Sequence, residues 1–100
     1  MTDLSAIRLE DFLPRLQQDF DLSIAAMTLQ LRLIEATPYS RYAHAQAART
    51  PFSLIFRGPS HPALMQDTYH LSSSDGLSAP IFLVPIKHDE SGMYYQAVFN

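Results

Sequence analysis

From Phe20 onward the chain alternates apolar and polar residues with a period of two. Phe20, Leu22 and Ile24 alternate with Asp21, Ser23 and Ala25, and Leu29, Leu31 and Leu33 alternate with Gln30 and Arg32. Phe52, Leu54 and Phe56 alternate with Ser53 and Arg57, with Ile55 the one exception. Alternation of this kind predicts strands with one buried and one wet face, since successive side chains of an extended chain point to opposite sides. Residues 81–86 (IFLVPI) are apolar on both faces and read as a more central strand. Pro85 lies inside that run without a backbone donor, which predicts a bulge or an unpaired position there. Residues 93–99 (MYYQAVF) are rich in β-formers and supply a last strand.

Before Phe20 the period is different. Leu9, Phe12, Leu13 and Leu16 fall at i, i+3, i+4 and i+7, the spacing of one helical face, with Glu10, Asp11 and Arg15 outside it. The early acids suit the positive end of a helix dipole. Pro14 breaks the interior, so the helix is expected to be short, kinked or partly 3₁₀. Its expected role is to lay an apolar face over one opening or side of a sheet.

The turns agree with hairpins. Asp75 and Gly76 separate the strand around Tyr69 from residues 81–86, and Asp-Gly is a strong tight-turn signal. Glu90, Ser91 and Gly92 form a second short connection, and Gly58 with Pro59 ends the strand that starts at Pro51. The last three strands therefore read as a meander of sequence neighbours. Residues 38–50 resist the alternation and exceed a hairpin connection, so they read as a surface loop or a single helical turn suited to a specialised surface. The expectation is one mainly β domain over residues 1–100: a small antiparallel barrel, or a strongly curled sheet, of about six strands behind a short N-terminal helix. The chain stops just after a strand, so either the barrel closes or the C-terminal strand edge serves homo-oligomer assembly.

Composition narrows the functions. The 100 residues are 47% hydrophobic, an ordinary globular share. With no cysteine, thiolate chemistry, disulfides and cysteine-ligated metals are excluded. No basic segment leads into an apolar run, and no apolar stretch is long enough to span a membrane as a helix, so a cytoplasmic location without membrane contact is expected. A net charge of −3 argues against nucleic-acid binding. That charge is uneven: Arg32, Arg41, Arg49 and Arg57 make the middle positive, while acids dominate both ends. Solvated segments that screen one another explain this, as does an arginine-bearing face for an acidic partner.

Candidate chemistry is sparse. His44, His61, His70 and His88 share no i+2, i+3 or i+4 spacing, so no metal site is expected. His70 with Ser72, Ser73, Ser74 and Asp75 suggests a hydrolase, yet no nucleophile elbow accompanies them and Ser-Asp-Gly is ordinary turn chemistry. The pairs Glu10–Asp11 and Asp89–Glu90 sit at exposed ends, where burial cannot tune them for acid–base work. Gly58, Gly76 and Gly92 are isolated and build no phosphate loop. Phe52, Phe56, Phe82, Tyr94, Tyr95 and Phe99 are candidates for base stacking, but strand-borne aromatics read first as core. No cofactor and no enzymatic activity are expected. Tyr39, Arg41, Tyr42 and Arg49 carry the residue types enriched in binding hot spots and form the expected partner-binding set.

Residues 49–59 (RTPFSLIFRGP), Tyr69-His70-Leu71, 81–86 (IFLVPI) and 94–100 (YYQAVFN), with 8–16 (RLEDFLPRL), together resemble a family of short bacterial proteins of unknown function. The likeness spans nearly the whole chain apart from residues 40–48. The resemblance implies no catalytic residues. It does imply a setting beside phage-tail-collar-like proteins, and hence an accessory or assembly role. The functional expectation is a non-enzymatic protein-interaction or assembly module with a protein partner. The alternative is a small-ligand-binding β-barrel, which a core filled by Phe52, Phe56, Phe82 and Phe99 would remove.

Overall fold

The alternating segments become six strands: β1 (Asp19–Ile24), β2 (Met27–Pro38), β3 (Phe52–Gly58), β4 (Asp67–Ser73), β5 (Ser78–Asp89) and β6 (Gly92–Phe99). A four-residue helix, α1 (Leu9–Phe12), precedes them and runs into a 3₁₀ turn over Leu13–Arg15. The computed structural model describes residues 7–38 and 51–100. The strands close into a barrel in the order β1-β2-β3-β6-β5-β4, and every neighbouring pair is antiparallel.

Two three-strand meanders, β1-β2-β3 and β4-β5-β6, make up this ring. They meet along two seams, β3 with β6 and β1 with β4. The 12-residue strands β2 and β5 do the turning within each meander. The first part of β2 pairs with β1 and the rest with β3, and β5 divides itself in the same way between β4 and β6. A bulge marks each changeover, between Leu33 and Glu35 in β2 and between Pro85 and Lys87 in β5. The second bulge is the one expected from Pro85. The Ser73 N–H donates to the Leu77 carbonyl, so by antiparallel alternation the peptide groups of Ala79, Ile81, Leu83 and Pro85 face β4. The β4 ladder ends at Asp67 opposite Leu83, so the donor missing at Pro85 has no strand to serve.

Closure occupies much of the C-terminal strand. β3 pairs with β6 from Phe99 to Met93, and β5 pairs with its other side from Gln96 to Gly92. Residues 93–96 of β6 therefore have a strand on both sides.

Inside the barrel, Phe20, Leu22, Leu31, Leu33, Leu54, Phe56, Leu71 and Leu83 are all buried. Phe20 meets Phe56 edge-on at 5.5 Å, and Phe52 stacks on Phe99 at 4.7 Å. Phe82 does not join them. Ile81 and Leu83 point inward, so Phe82 between them points out and is 50% exposed; Val98 and Ile86 are exposed as well. The expected four-phenylalanine core thus has Phe12 where Phe82 was placed, and β5 is apolar on a face that meets solvent.

The helix does close one end of the barrel, but with one side chain rather than a stripe. Phe12 inserts between Phe20, Phe52 and Phe99, with ring centroids 6.3, 5.9 and 5.9 Å away. Leu9 is half-buried, whereas Leu13 and Leu16 are exposed, contrary to the i, i+3, i+4, i+7 reading. Pro14 is the cause. It tightens the chain to a 3₁₀ turn after a single α-turn, so a seven-residue face never forms. The Asp11 carboxylate accepts from the Arg8 N–H at 2.8 Å and caps the start.

Candidate functional site

At the end of the barrel opposite α1, β1 turns into β2 through Ala25 and Ala26. Ala25 holds a positive φ of 53°, a conformation unfavourable for a side chain with a Cβ. Across from this turn, residues 59–66 return from β3 to β4. Leu64 in this loop is buried and joins the core. The Leu64 N–H donates to the Tyr95 hydroxyl at 2.8 Å, a buried bond that pins the loop to β6. His88 and Ser60 add an exposed contact at 3.1 Å.

Between the turn and the loop lies an open groove of about 780 Å³. Ile24, Met27 and Leu29 form one wall; Leu64, Met65 and Tyr69 form the other. Met27 is 49% exposed and Met65 is 80% exposed, so two unbranched, polarizable side chains stand free at the rim. The Tyr69 hydroxyl donates to the Met65 carbonyl at 2.6 Å and braces that wall. Burial first, and then the charge of neighbouring Asp67, hold the Tyr69 phenol above its ordinary pKa, so it stays a neutral donor. Asp67 is the one carboxylate among the described residues that line the groove.

Replacing Tyr95 by Phe removes the acceptor of the Leu64 N–H and leaves a buried donor unpaired. The expected loss of unfolding free energy is about 1–3 kcal/mol. Amide hydrogen exchange should speed up at Leu64 and its loop more than in β3. Uniform acceleration across the barrel would mean that the bond does not hold this wall in particular.

The second cluster lies on the other side of β4. His70 contacts the Ser78 hydroxyl, which lies 3.1 Å from the Ser72 hydroxyl. Asp75 does not complete a triad with them. Its carboxylate accepts from the Ser73 hydroxyl and from Arg15 Nε at 2.9 Å, fastening the β4–β5 turn to the 3₁₀ turn. The hydrolase elements thus divide: His70 and Ser72 face outward while Ser73 is buried, and the acid serves an arginine. The Ser73 hydrogen bond, and then Arg15, hold the Asp75 carboxyl below the usual carboxylate range. A folded-state pKa lowered in this way adds stability above the unfolded value of about 3.9 and loses it as pH falls through the folded value. Asp75→Asn should therefore flatten the decline of the urea midpoint below pH 4. An unchanged acid limb would show that the Asp75 contacts do not distinguish folded from unfolded chain.

The other expected site residues do not come together in one place. Tyr39, Arg41, Tyr42 and Arg49 lie outside the described residues, as does His44. His61, His70 and His88 are exposed, and no group of three potential metal ligands occurs among the described residues. Of the six aromatics considered for stacking, Phe52, Phe56, Tyr95 and Phe99 are core, Tyr94 is buried beneath Lys87, and Phe82 alone is exposed. No helix is long and apolar enough to cross a membrane among the described residues.

Fold and site define a small closed six-strand antiparallel barrel, plugged by Phe12 at one end and apolar and open at the other. The chain belongs to the family described as a domain of unknown function, DUF6916, whose model matches residues 7–99. No curated protein and no solved structure matches it.

Proposed function

We propose that this protein is a non-enzymatic interaction module whose docking site is the apolar groove at the open barrel end. The observation that carries the reading is the pair of exposed methionines, Met27 and Met65, that line one largely apolar groove. Flexible thioether side chains repack around a partner's apolar side chain at little cost, which suits a docking surface. An assembly role beside a phage-tail-like structural protein is the particular form suggested by the sequence resemblance. The groove takes the place of the 39–49 surface as the contact expected to matter most.

Quantitative affinity capture tests this. A specific protein recovered by the wild-type barrel should be lost with Met65→Asp, which alters an exposed side chain and leaves the core intact. The fourfold alanine variant at Tyr39, Arg41, Tyr42 and Arg49 should retain it. The reverse pattern would return the contact to the 39–49 surface and remove the groove from the function.

The groove's volume of about 780 Å³ also falls in the range of small-ligand sites and supports a second reading, a barrel that holds an apolar small molecule at its mouth. Retention of a medium-chain fatty acid by the wild type, lost with Met65→Asp and without any protein partner, would favour that alternative.

A further inference from the structure

The groove is more than an apolar surface, because the barrel is split beneath it. β1 and β4 are paired over three residues each, Phe20 to Leu22 against Ser73 to Leu71. Both strands continue beyond this ladder. Ser23 and Ile24 remain in β1 with β2 as their paired neighbour, and Asp67 to His70 remain in β4 with β5 as theirs. The side of each strand that would meet the other has no ladder partner there among the described residues.

Alternation tells which peptide groups line the split. The Ser73 N–H points to β5, so those of Ser72, His70 and Thr68 point toward β1; Ser72 lies in the ladder opposite Asp21, which leaves His70 and Thr68 at the split. The Thr68 N–H has turned to the adjacent Asp67 carboxylate, at 2.7 Å, rather than to a strand. Ile24 and Met27 from the β1–β2 hairpin and Met65 and Tyr69 from the other side form the walls above these edges. Strand edges that run beyond their ladder next to an apolar groove have the make-up of a strand-addition site. The main chain of an added segment supplies affinity and its alternate side chains supply specificity.

We propose that the groove takes an extended segment of a partner protein, which enters between β1 and β4 and pairs with the open edge of β4. This deepens the proposed function and rests on the groove being the docking site. The favoured segment has apolar residues at alternate positions, to meet Met27, Met65 and Tyr69. It also carries one lysine or arginine to face Asp67, the one carboxylate among the described lining residues.

The probe is a library of random nine-residue peptides displayed on phage, selected on wild-type barrel and counter-selected on Met65→Asp. The enriched peptide is then synthesised with single backbone N-methyl groups placed along it. Strand addition predicts a local alternating pattern: methylation weakens binding tenfold or more at the peptide residues opposite Thr68 and His70 and changes it less than twofold at the residue between them. Thr68 and His70 amides should gain hydrogen-exchange protection on binding, and Asp67→Asn should weaken the peptide by fivefold or more. If an enriched peptide needs Met65 but tolerates N-methylation throughout, or binds as a helix, strand addition is overturned while the groove reading stands. If nothing is enriched, or enriched peptides bind Met65→Asp as well as wild type, both fail.

Discussion

Truncating Phe56 to alanine will lower the unfolding free energy by about 3–5 kcal/mol. The residue is fully buried at the middle of β3, flanked in register by Leu33 of β2 and Tyr95 of β6, with Phe20 edge-on across the interior. Large-to-small changes cost most where the surroundings cannot collapse into the space. Here both flanking strands are tied on their far sides as well, so the cavity persists. Leu83→Ala, from β5 beyond β6 in the ring, should cost about 2–5 kcal/mol. Two controls fix the interpretation. Arg32→Ala should stay within about 0.5 kcal/mol, because its pair with Asp19 at 3.1 Å is exposed on both partners. Phe82→Ala should cost less than about 1 kcal/mol, since its ring lies half in solvent on the outer face. Urea melts at constant m value give the ranking. Should Arg32 or Phe82 prove costlier than Phe56, the strand faces would be assigned the wrong way round.

The contrast between Phe56 and Phe82 shows how far the fold can be read from the chain. Where polar residues separate the apolar ones, as in β1, β2 and most of β3, the inward face follows from composition alone. Where both parities are apolar, as over residues 81–86, the pattern cannot say which parity faces inward. The barrel decides, through the register that brings Leu83 opposite Asp67 and turns Phe82 out. The N-terminal helix failed for a different reason. Leucine spacing is a statement about an intact helix, and Pro14 ends this one after four residues.

The candidate site was less legible than the fold. Its turn is built from Ala25 and Ala26, without the glycine or asparagine that marks a tight hairpin, and Ala25 takes its positive φ regardless. Its other wall is the run Pro62, Ala63, Leu64, Met65, an apolar stretch inside a connection where polar residues are the norm. That excess is the one signal in the sequence. Leu64 explains half of it by plugging the core, and Met65 is left exposed beside it. The split between β1 and β4 has no sequence signature, because it arises from where two ladders stop. The same holds for the matching architecture of the two meanders. Strand lengths of 6, 12 and 7 residues are answered by 7, 12 and 8, each long strand with its bulge, although the sequences of the halves share no repeat. Closure of two similar hairpin sets onto one core imposes that likeness through geometry and leaves the residues free to differ.

The seam between the meanders supplies the second large effect. Gly92 closes the β5–β6 turn with φ of 135°, a region that residues with side chains rarely adopt. A methyl group added there would also overlap the Gly58 carbonyl oxygen, which belongs to the backbone of β3 and cannot rotate away. Strain and overlap together should make Gly92→Ala cost about 3 kcal/mol or more. Gly76→Ala separates the two contributions. Gly76 has a similarly positive φ of 108°, but nothing lies within 4 Å of the position its Cβ would take. Its cost should be the backbone strain alone, about 1–3 kcal/mol. Equal destabilisation by the two variants would mean that β3 gives way freely at Gly58. The expected inequality has a functional reading too, because Gly58 leads directly into the loop that carries Leu64 and Met65. Pushing its carbonyl outward should loosen the Leu64–Tyr95 bond. Folded Gly92→Ala should then show faster exchange at the Leu64 amide, whereas Gly76→Ala, on the β4–β5 turn beside Arg15, should leave that amide as protected as in the wild type.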